Sequence, residues 1–396
     1  MQKSLDSIFN EYTTRKKTFL DKKMITTSYK PEDLPHRESE INTLASILAP
    51  SLGGDRPSNI FIFGKPGTGK TAVIYYISKK LKEKSTDNGV NIFYLNCKMR
   101  NVADTEYRVI AQLTRDMGEF VPVTGLPTDH VYNLFFKALD NKGGVVIIIL
   151  DEIDVLVDKI GDSFLYNLTR INEDLKNTQV SIVGISNNLS FMNKLDPRVR
   201  SSLSEEEMLF KPYNAIQLQD ILKERSKKAF REGMISPGVI EKCAGLAAQE
   251  HGDARRALDL LRVAAEICER QNSDVIEGNH VDMAESKIDS DRIIEIVKSQ
   301  PRQSQAVLWS ILKSGDKIQT GDIFSVYRGI CKINGLTPLT QRRVSDLIAE
   351  LDLLGIINAR VVSKGRYGRT RTIELNLDDS LKSKITDILK TKYYFQ

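Results

Sequence analysis

In the stretch "NIFIFGKPGTGKTAVIYYISKKL" an apolar run passes into three glycines, at 64, 67 and 69, and a helical pattern leaves after Thr71. The spacing is GxxxxGK[ST], and it suits an anionic guest. The loop Gly64, Lys65, Pro66, Gly67, Thr68, Gly69 can turn backbone N–H groups inward around phosphate oxygens. The helix entered at Lys70, Thr71 and Ala72 adds the positive end of its dipole. Lys70 would reach the β- and γ-phosphates, and the Thr71 hydroxyl would ligand Mg²⁺. The implied cofactors are ATP or ADP with Mg²⁺.

Hydrolysis needs a further metal-orienting carboxylate and a base, and "GGVVIIILDEIDVLV" carries both after six apolar residues, Val145 to Leu150. Asp151 would hold the Mg²⁺ shell, and Glu152 would polarise the attacking water. A cluster of helix-capping acids is the structural alternative. Asn187, at the end of "VSIVGISNN", is placed to hydrogen-bond the γ-phosphate or the lytic water.

Positioning these groups requires strands that end together. The run from Val145 to Leu150 reads as a central parallel strand buried on both faces. With the strand before Gly64, "NIFYLNC" (91–97) and "VSIVGISNN" (180–188), it alternates with helical stretches, as in a doubly wound α/β sheet, whose ligands sit at the carboxyl ends of the strands.

Composition excludes several classes. The 396 residues are 41% hydrophobic and 28% charged, ordinary for a soluble multidomain chain. No run of eighteen apolar residues and no apolar N-terminal core appear, so neither a membrane span nor a secretory signal is expected, and the chain reads as cytoplasmic. Cys97, Cys243, Cys268 and Cys331 are far apart, as are the four histidines, which argues against disulfides and zinc. The first thirty residues are basic and weakly periodic and read as a partly mobile tail.

The net charge of +5 is uneven. Residues 300–396 hold 16 Lys and Arg against nine Asp and Glu, a net of +7, whereas the rest of the chain is at −2. A basic domain beside a neutral one is the footprint of nucleic-acid binding, although an anionic membrane surface or an acidic partner protein would also fit. The pattern there is three helices and a hairpin. Helices are expected from Pro301, around Ile323 to Ile333, and after Thr340, the last with Val344, Leu347, Ile348, Leu351 and Leu354 on one face. Its first turn exposes Gln341, Arg342 and Arg343, where a recognition helix meets the major groove. "IINARVV" and "TRTIELNL" then flank a glycine-rich turn with Lys364, Arg366, Tyr367 and Arg369, the wing of a winged helix placed along a phosphate backbone. A charged hairpin that merely guards a sheet edge is the other reading.

These elements occur in the order of an AAA+ ATPase, which the chain resembles. "LDPRVRSSL" (195–203) is similar to that superfamily's arginine-bearing segment and "GDARRALDLLRVAAEIC" (252–268) to the sensor helix of its lid. The resemblance implies that Arg255 reaches the γ-phosphate from an all-helical lid and that Arg198 stands at the nucleotide. Where clamp loaders and bacterial initiators carry a Ser-Arg pair that acts in trans, this chain reads Ser201-Ser202, and only Arg200 is near.

More narrowly, "SYKPEDLPHRESEINTLASIL" (28–48), "GISNNLSFMNKLDPRVRSSL" and the basic C-terminal domain resemble the archaeal Orc/Cdc-type replication initiators. That likeness implies that Pro35 and Arg37 adjoin the adenine. It also implies that an insertion within 101–139 touches DNA through "PVTGLPTD", centred on Gly125 and Leu126, although a plain turn fits this loop equally well. The expected domains are a basic tail (1–30), an AAA+ module (31–213), a helical lid (214–295) and a winged helix (296–396). The implied function is an ATP-dependent initiator that recognises origin duplex DNA and helps recruit or load the replicative helicase, with paralogous initiators as partners, no membrane association, a place at the nucleoid, and slow, switch-like hydrolysis. A clamp-loader subunit and a winged-helix transcription regulator with a P-loop switch are the alternatives.

Overall fold

A computed structural model describes residues 18–85, 89–99, 103–122, 124–315, 317–363 and 369–392. Five strands form one parallel sheet: β1 (Ile60–Gly64), β2 (Val90–Asn96), β3 (Gly144–Asp151), β4 (Thr178–Ser186) and β5 (Glu206–Phe210), in the order β2-β3-β4-β1-β5. The apolar run of β3 is buried, and its alternate residues serve two cores. Val145, Ile147 and Ile149 pack with α1 (Glu38–Leu48) and α2 (Lys70–Lys84). Val146, Ile148 and Leu150 pack on the other face with α3 (Glu106–Asp116), α4 (Thr128–Lys142), α5 (Ile153–Ile160), α6 (Ser163–Thr169) and α7 (Pro197–Leu203). A strand buried on both faces has no reason to alternate polar and apolar residues, which explains the unbroken run.

The register brings the chemistry to one edge. Asn96 pairs with Asp151, Phe63 with Ser186 and Gly64 with Phe210, so Gly64, Asn96, Asp151 and Asn187 all sit at the carboxyl ends of adjacent strands. The chain order reverses between β4 and β1, the position where open α/β sheets bind ligands. The strand β5 was not anticipated from sequence; its first four residues are exposed or half-exposed, which hides a strand pattern.

Three helices follow: α8 (Ala215–Ala229), α9 (Val239–Gln249) and α10 (Ala254–Gln271). A capping box starts α8, in which Asn214 accepts from the Gln217 N–H and Gln217 accepts from the Asn214 N–H. Buried Leu260, Leu261, Ala264 and Cys268 give α10 its inner face.

The segment from Thr18 to Lys30 is not the loose tail expected; residues 1–17 lie outside the described ones. The Leu20 N–H donates to the Ala229 carbonyl, Ile25 is fully buried, and the Arg225 guanidinium donates to the carbonyls of Met24 and Thr26. An ion pair joins Lys22 to Glu266. The segment is thus a strap across α8 and α10, held by backbone polar groups that a periodicity argument cannot see.

The chain divides into two compact units, Met1–Val281 and Asp282–Gln396, the division falling within α11 (Gly278–Ser299). In the second unit, α12 (Arg302–Ser314), α13 (Thr320–Ile333) and α14 (Gln341–Leu353) enclose Trp309, Ile311, Ile323, Tyr327, Val344 and Ile348. Strands β6 (Ile318–Gln319), β7 (Ile357–Ser363) and β8 (Arg369–Leu375) form an antiparallel sheet ordered β6-β8-β7. This is a winged helix, with α15 (Asp379–Lys392) as an element unread in the sequence. Leu354, expected on the inner face of α14, is instead its C-cap and is partly exposed.

Candidate functional site

Gly67 and Gly69 carry the conformational demand of the loop. Their φ values are +72° and +91°, and Gly69 is the N-cap of α2. A Cβ on Gly67 would lie 1.6 Å from Asp253 Oδ1, and one on Gly69 would lie 2.8 Å from the Tyr213 hydroxyl. The loop is therefore packed against the turn that opens α10, whose Ala254 N–H donates to the Gly67 carbonyl over 3.2 Å.

Lys70 is buried and folds back on the loop, donating to the Gly64 carbonyl at 2.7 Å and the Lys65 carbonyl at 2.8 Å. Burial lowers its ammonium to about 8, against the opposing pull of Asp151. The buried Asp151 carboxylate is fully engaged. Its Oδ2 accepts from Thr71 Oγ1 at 2.9 Å and from the Tyr94 hydroxyl at 2.7 Å, while Oδ1 accepts from the Glu152 N–H at 2.9 Å. Tyr94 is 45% exposed as a residue, but its hydroxyl end is desolvated against the carboxylate, and this, with the Asp151 charge, pushes the hydroxyl above the usual phenol range, which keeps it a donor.

Glu152 caps α5 in the left-handed conformation, φ +56°, uncommon for a residue with a Cβ, and its carboxylate lies 3.5 Å from the Lys98 ammonium. Asn187 is half-buried and Arg255 exposed. Both line a cleft of about 310 Å³ together with Gly67 to Ala72, Asp151, Glu152 and Pro35. The strap contributes Thr26 to Lys30 to the lining, beside Pro31, Tyr75, Ile221, Arg225 and Leu258. The lining combines apolar surface with a few polar atoms, as small-molecule sites do.

Two residues expected at the nucleotide do not line the cleft. The Arg37 guanidinium is buried and wholly engaged, Nε with the Thr68 carbonyl and Tyr213 hydroxyl, Nη1 with Glu40 and Nη2 with the Lys211 carbonyl. Arg198 is also outside the lining; it is exposed, paired with Asp196, and stacked near Tyr166. Arg200 and Ser201 are exposed on the same short helix, α7.

Sequence reasoning missed Tyr94, Tyr213, Lys98, the strap residue Tyr29 and Arg225 of α8, which holds the strap. Tyr94 alone had a signal: it is two residues before Asn96, the partner of Asp151 in the ladder, so it faces the same side.

On the second unit, Gln341 and Arg342 are exposed in the first turn of α14, whose Thr340 cap accepts from the Arg343 N–H. Arg343 leans along its own helix toward Glu350 at 3.4 Å and Asp346 at 3.9 Å. Lys364, Arg366 and Tyr367 lie outside the described residues, and Arg369 opens β8 opposite Ser363. Between α3 and α4, Gly125 is exposed with φ +106°, whereas Leu126 is half-buried against the core. Phe120, 87% exposed, is the conspicuous apolar side chain of that connection and was not singled out.

Comparison with known proteins follows the same outline. Residues 35–233 match an ATPase domain predominantly from Archaea, 219–286 a Cdc6 AAA+ ATPase-type lid domain, and 295–382 the Cdc6 C-terminal winged helix domain. The chain is 51% identical over 383 residues to the ORC1-type DNA replication protein of Thermococcus onnurineus, covering 94% of this chain and 92% of that one. It is 50% identical over 405 residues to that of Pyrococcus furiosus, covering 100% and 95%. The Aeropyrum pernix ORC1 protein, solved in complex with DNA, superposes with a TM-score of 0.83 at 43% identity over 96% of this chain and 99% of that one. Among the described residues no helix is long and apolar enough to cross a membrane.

Proposed function

The chain belongs to the ORC1/Cdc6-type family of AAA+ DNA replication proteins, and on that premise we propose that it is an ATP-dependent initiator that binds duplex DNA at replication origins. The observation that carries this reading is the presence, in one chain, of a cleft gathering Lys70, Thr71, Asp151, Glu152 and Arg255 and of a winged helix whose α14 presents Gln341 and Arg342. A relative of known structure at 43% identity was solved with DNA, which supports the second half.

The residues of the cleft fit a hydrated magnesium ion. Thr71 Oγ1 and Asp151 Oδ2 are hard oxygen donors 2.9 Å apart beside a phosphate loop, and would hold it. Held there by Thr71 and Asp151, it would supply positive charge against the phosphates. Lys70 needs only to swing its ammonium from two loop carbonyls to phosphate oxygens. Glu152 would orient and polarise a water, and its carboxylate lies 3.5 Å from the Lys98 ammonium. Arg255 reaches the cleft from the lid, so the lid's position follows the nucleotide present.

Finer readings rest on the resemblance: slow, switch-like turnover, association with paralogous initiators and with the replicative helicase, and a place at the nucleoid. Turnover that is slow is supported by Ser201-Ser202, where a neighbour's arginine would be needed. The test is duplex binding with ATP, with ADP and without nucleotide, using a fragment from the replication start of the source genome against a scrambled competitor. Preference for the origin fragment that is lost in Lys70→Ala supports the reading. Preference for promoter fragments would favour a transcription regulator, and binding only to primed junctions would favour a clamp loader.

A further inference from the structure

Asp151 accepts three hydrogen bonds, and they do not restrain it equally. The Glu152 N–H on Oδ1 is its neighbour in sequence and fixes little beyond the turn. The Thr71 hydroxyl on Oδ2 belongs to the phosphate loop and is the group with the stronger reason to leave, because it is also the loop's metal-binding oxygen. What remains is the Tyr94 hydroxyl, 2.7 Å from the same Oδ2. It comes from β2, a separate strand, and its ring lines the cleft while Leu95 between it and Asn96 is buried. The ladder holds Tyr94 opposite Ile149 and Asn96 opposite Asp151, so the backbone sets the reach of the phenol.

We infer that Tyr94 is a positioning residue that holds the Asp151 carboxylate in its metal-facing orientation and so sets how strongly Mg²⁺ tightens nucleotide binding. The inference rests on the nucleotide reading above. A neutral donor suits such a role because it fixes the direction of a carboxylate oxygen without neutralising the charge that attracts the ion, as a lysine or arginine there would. It also leaves the second lone pair of Oδ2 for the ion or its water once Thr71 turns away.

The experiment uses the full chain and a fluorescent ATP analogue titrated in saturating Mg²⁺ and in EDTA. Tyr94→Phe keeps the ring and removes only the donor, so its melting temperature is expected to match wild type. In Mg²⁺ it should bind the analogue about three- to tenfold more weakly, the range that the net contribution of an ordinary intramolecular hydrogen bond spans. In EDTA the two proteins should bind alike. In an Asp151→Asn background the same change should do nothing further, because the two residues act as one unit. A Tyr94→Phe protein with the full Mg²⁺ effect overturns the inference, as does an equal loss in EDTA or additivity with Asp151→Asn. Wild-type affinity indifferent to Mg²⁺ overturns Tyr94's role and leaves the nucleotide reading standing, whereas wild-type protein that does not bind the analogue in either condition overturns the nucleotide reading itself.

Discussion

The Arg37 guanidinium carbon lies 4.0 Å from the centre of the Tyr213 ring, and Arg37 Nε divides its hydrogen between the Tyr213 hydroxyl and the Thr68 carbonyl. One buried cation thereby fastens the phosphate loop to the segment leading into α8, and Glu40 balances its charge. Arg37→Ala should remove the cation that balances Glu40, leaving that carboxylate only the Ser39 hydroxyl, and take the guanidinium from the Lys211 and Thr68 carbonyls, at a cost of about 3–5 kcal/mol. Thermal melting of the full chain checks this. An Arg37→Ala protein as stable as wild type, with only weaker nucleotide binding, would place Arg37 at the adenine instead.

Lys70 gives a pH dependence with a definite sign. Its ammonium titrates near 8 in the folded chain against an ordinary 10.5, so the folded state is penalised while both states are protonated. Its contribution to stability therefore rises as pH goes from about 8 to 10.5. Nucleotide phosphates favour the charged form, so above a pH of about 8 binding must take up a proton and affinity should fall. Titrations of the ATP analogue from neutral pH to well above that value check this, and an affinity flat across the interval contradicts it.

Glu152→Gln should retain ATP and stop phosphate release, whereas Lys70→Ala should lose nucleotide binding. Equilibrium binding and phosphate-release assays on both variants separate the roles. Turnover in Glu152→Gln equal to wild type removes the water-activating assignment.

How much of this was legible beforehand depended on how local the cause was. The phosphate loop, the apolar run of β3 and the inner face of α14 each lie within a single element, where spacing and burial pattern fix the structure. The engagement of Arg37 was hidden because its partners other than Glu40 are 31, 174 and 176 residues away, and nothing in "LPHRE" reveals them. The strap at Thr18 to Lys30 was hidden for a related reason: its holds are backbone carbonyls reached by Arg225. Tyr94 was readable in principle, since strand alternation puts it on the side of Asp151, but only once β2 is known to pair with β3.

Arg198 is exposed and tied to Asp196 and Tyr166, and Ser201-Ser202 stand beside it. Specific ATPase activity should therefore change little with protein concentration. A steep rise that Arg198→Ala or Arg200→Ala abolishes would reveal an arginine working in a neighbouring molecule.

On the winged helix, Arg342 is exposed while Arg343 leans on Glu350. If Arg342 meets a phosphate, Arg342→Ala should flatten the dependence of log affinity on log salt by about 0.9. Arg343→Ala should change it less. Fluorescence anisotropy over a salt series decides between them, and the reverse ranking would show that the Glu350 pairing yields on DNA.

Nucleotide state is held here to govern binding at replication origins, and the occupancy of the protein along its own genome tests that claim most directly. Mapped beside replication start sites, wild-type occupancy should be concentrated at those sites and be redistributed by Lys70→Ala. Occupancy spread over promoters, or identical in the two proteins, would contradict the account.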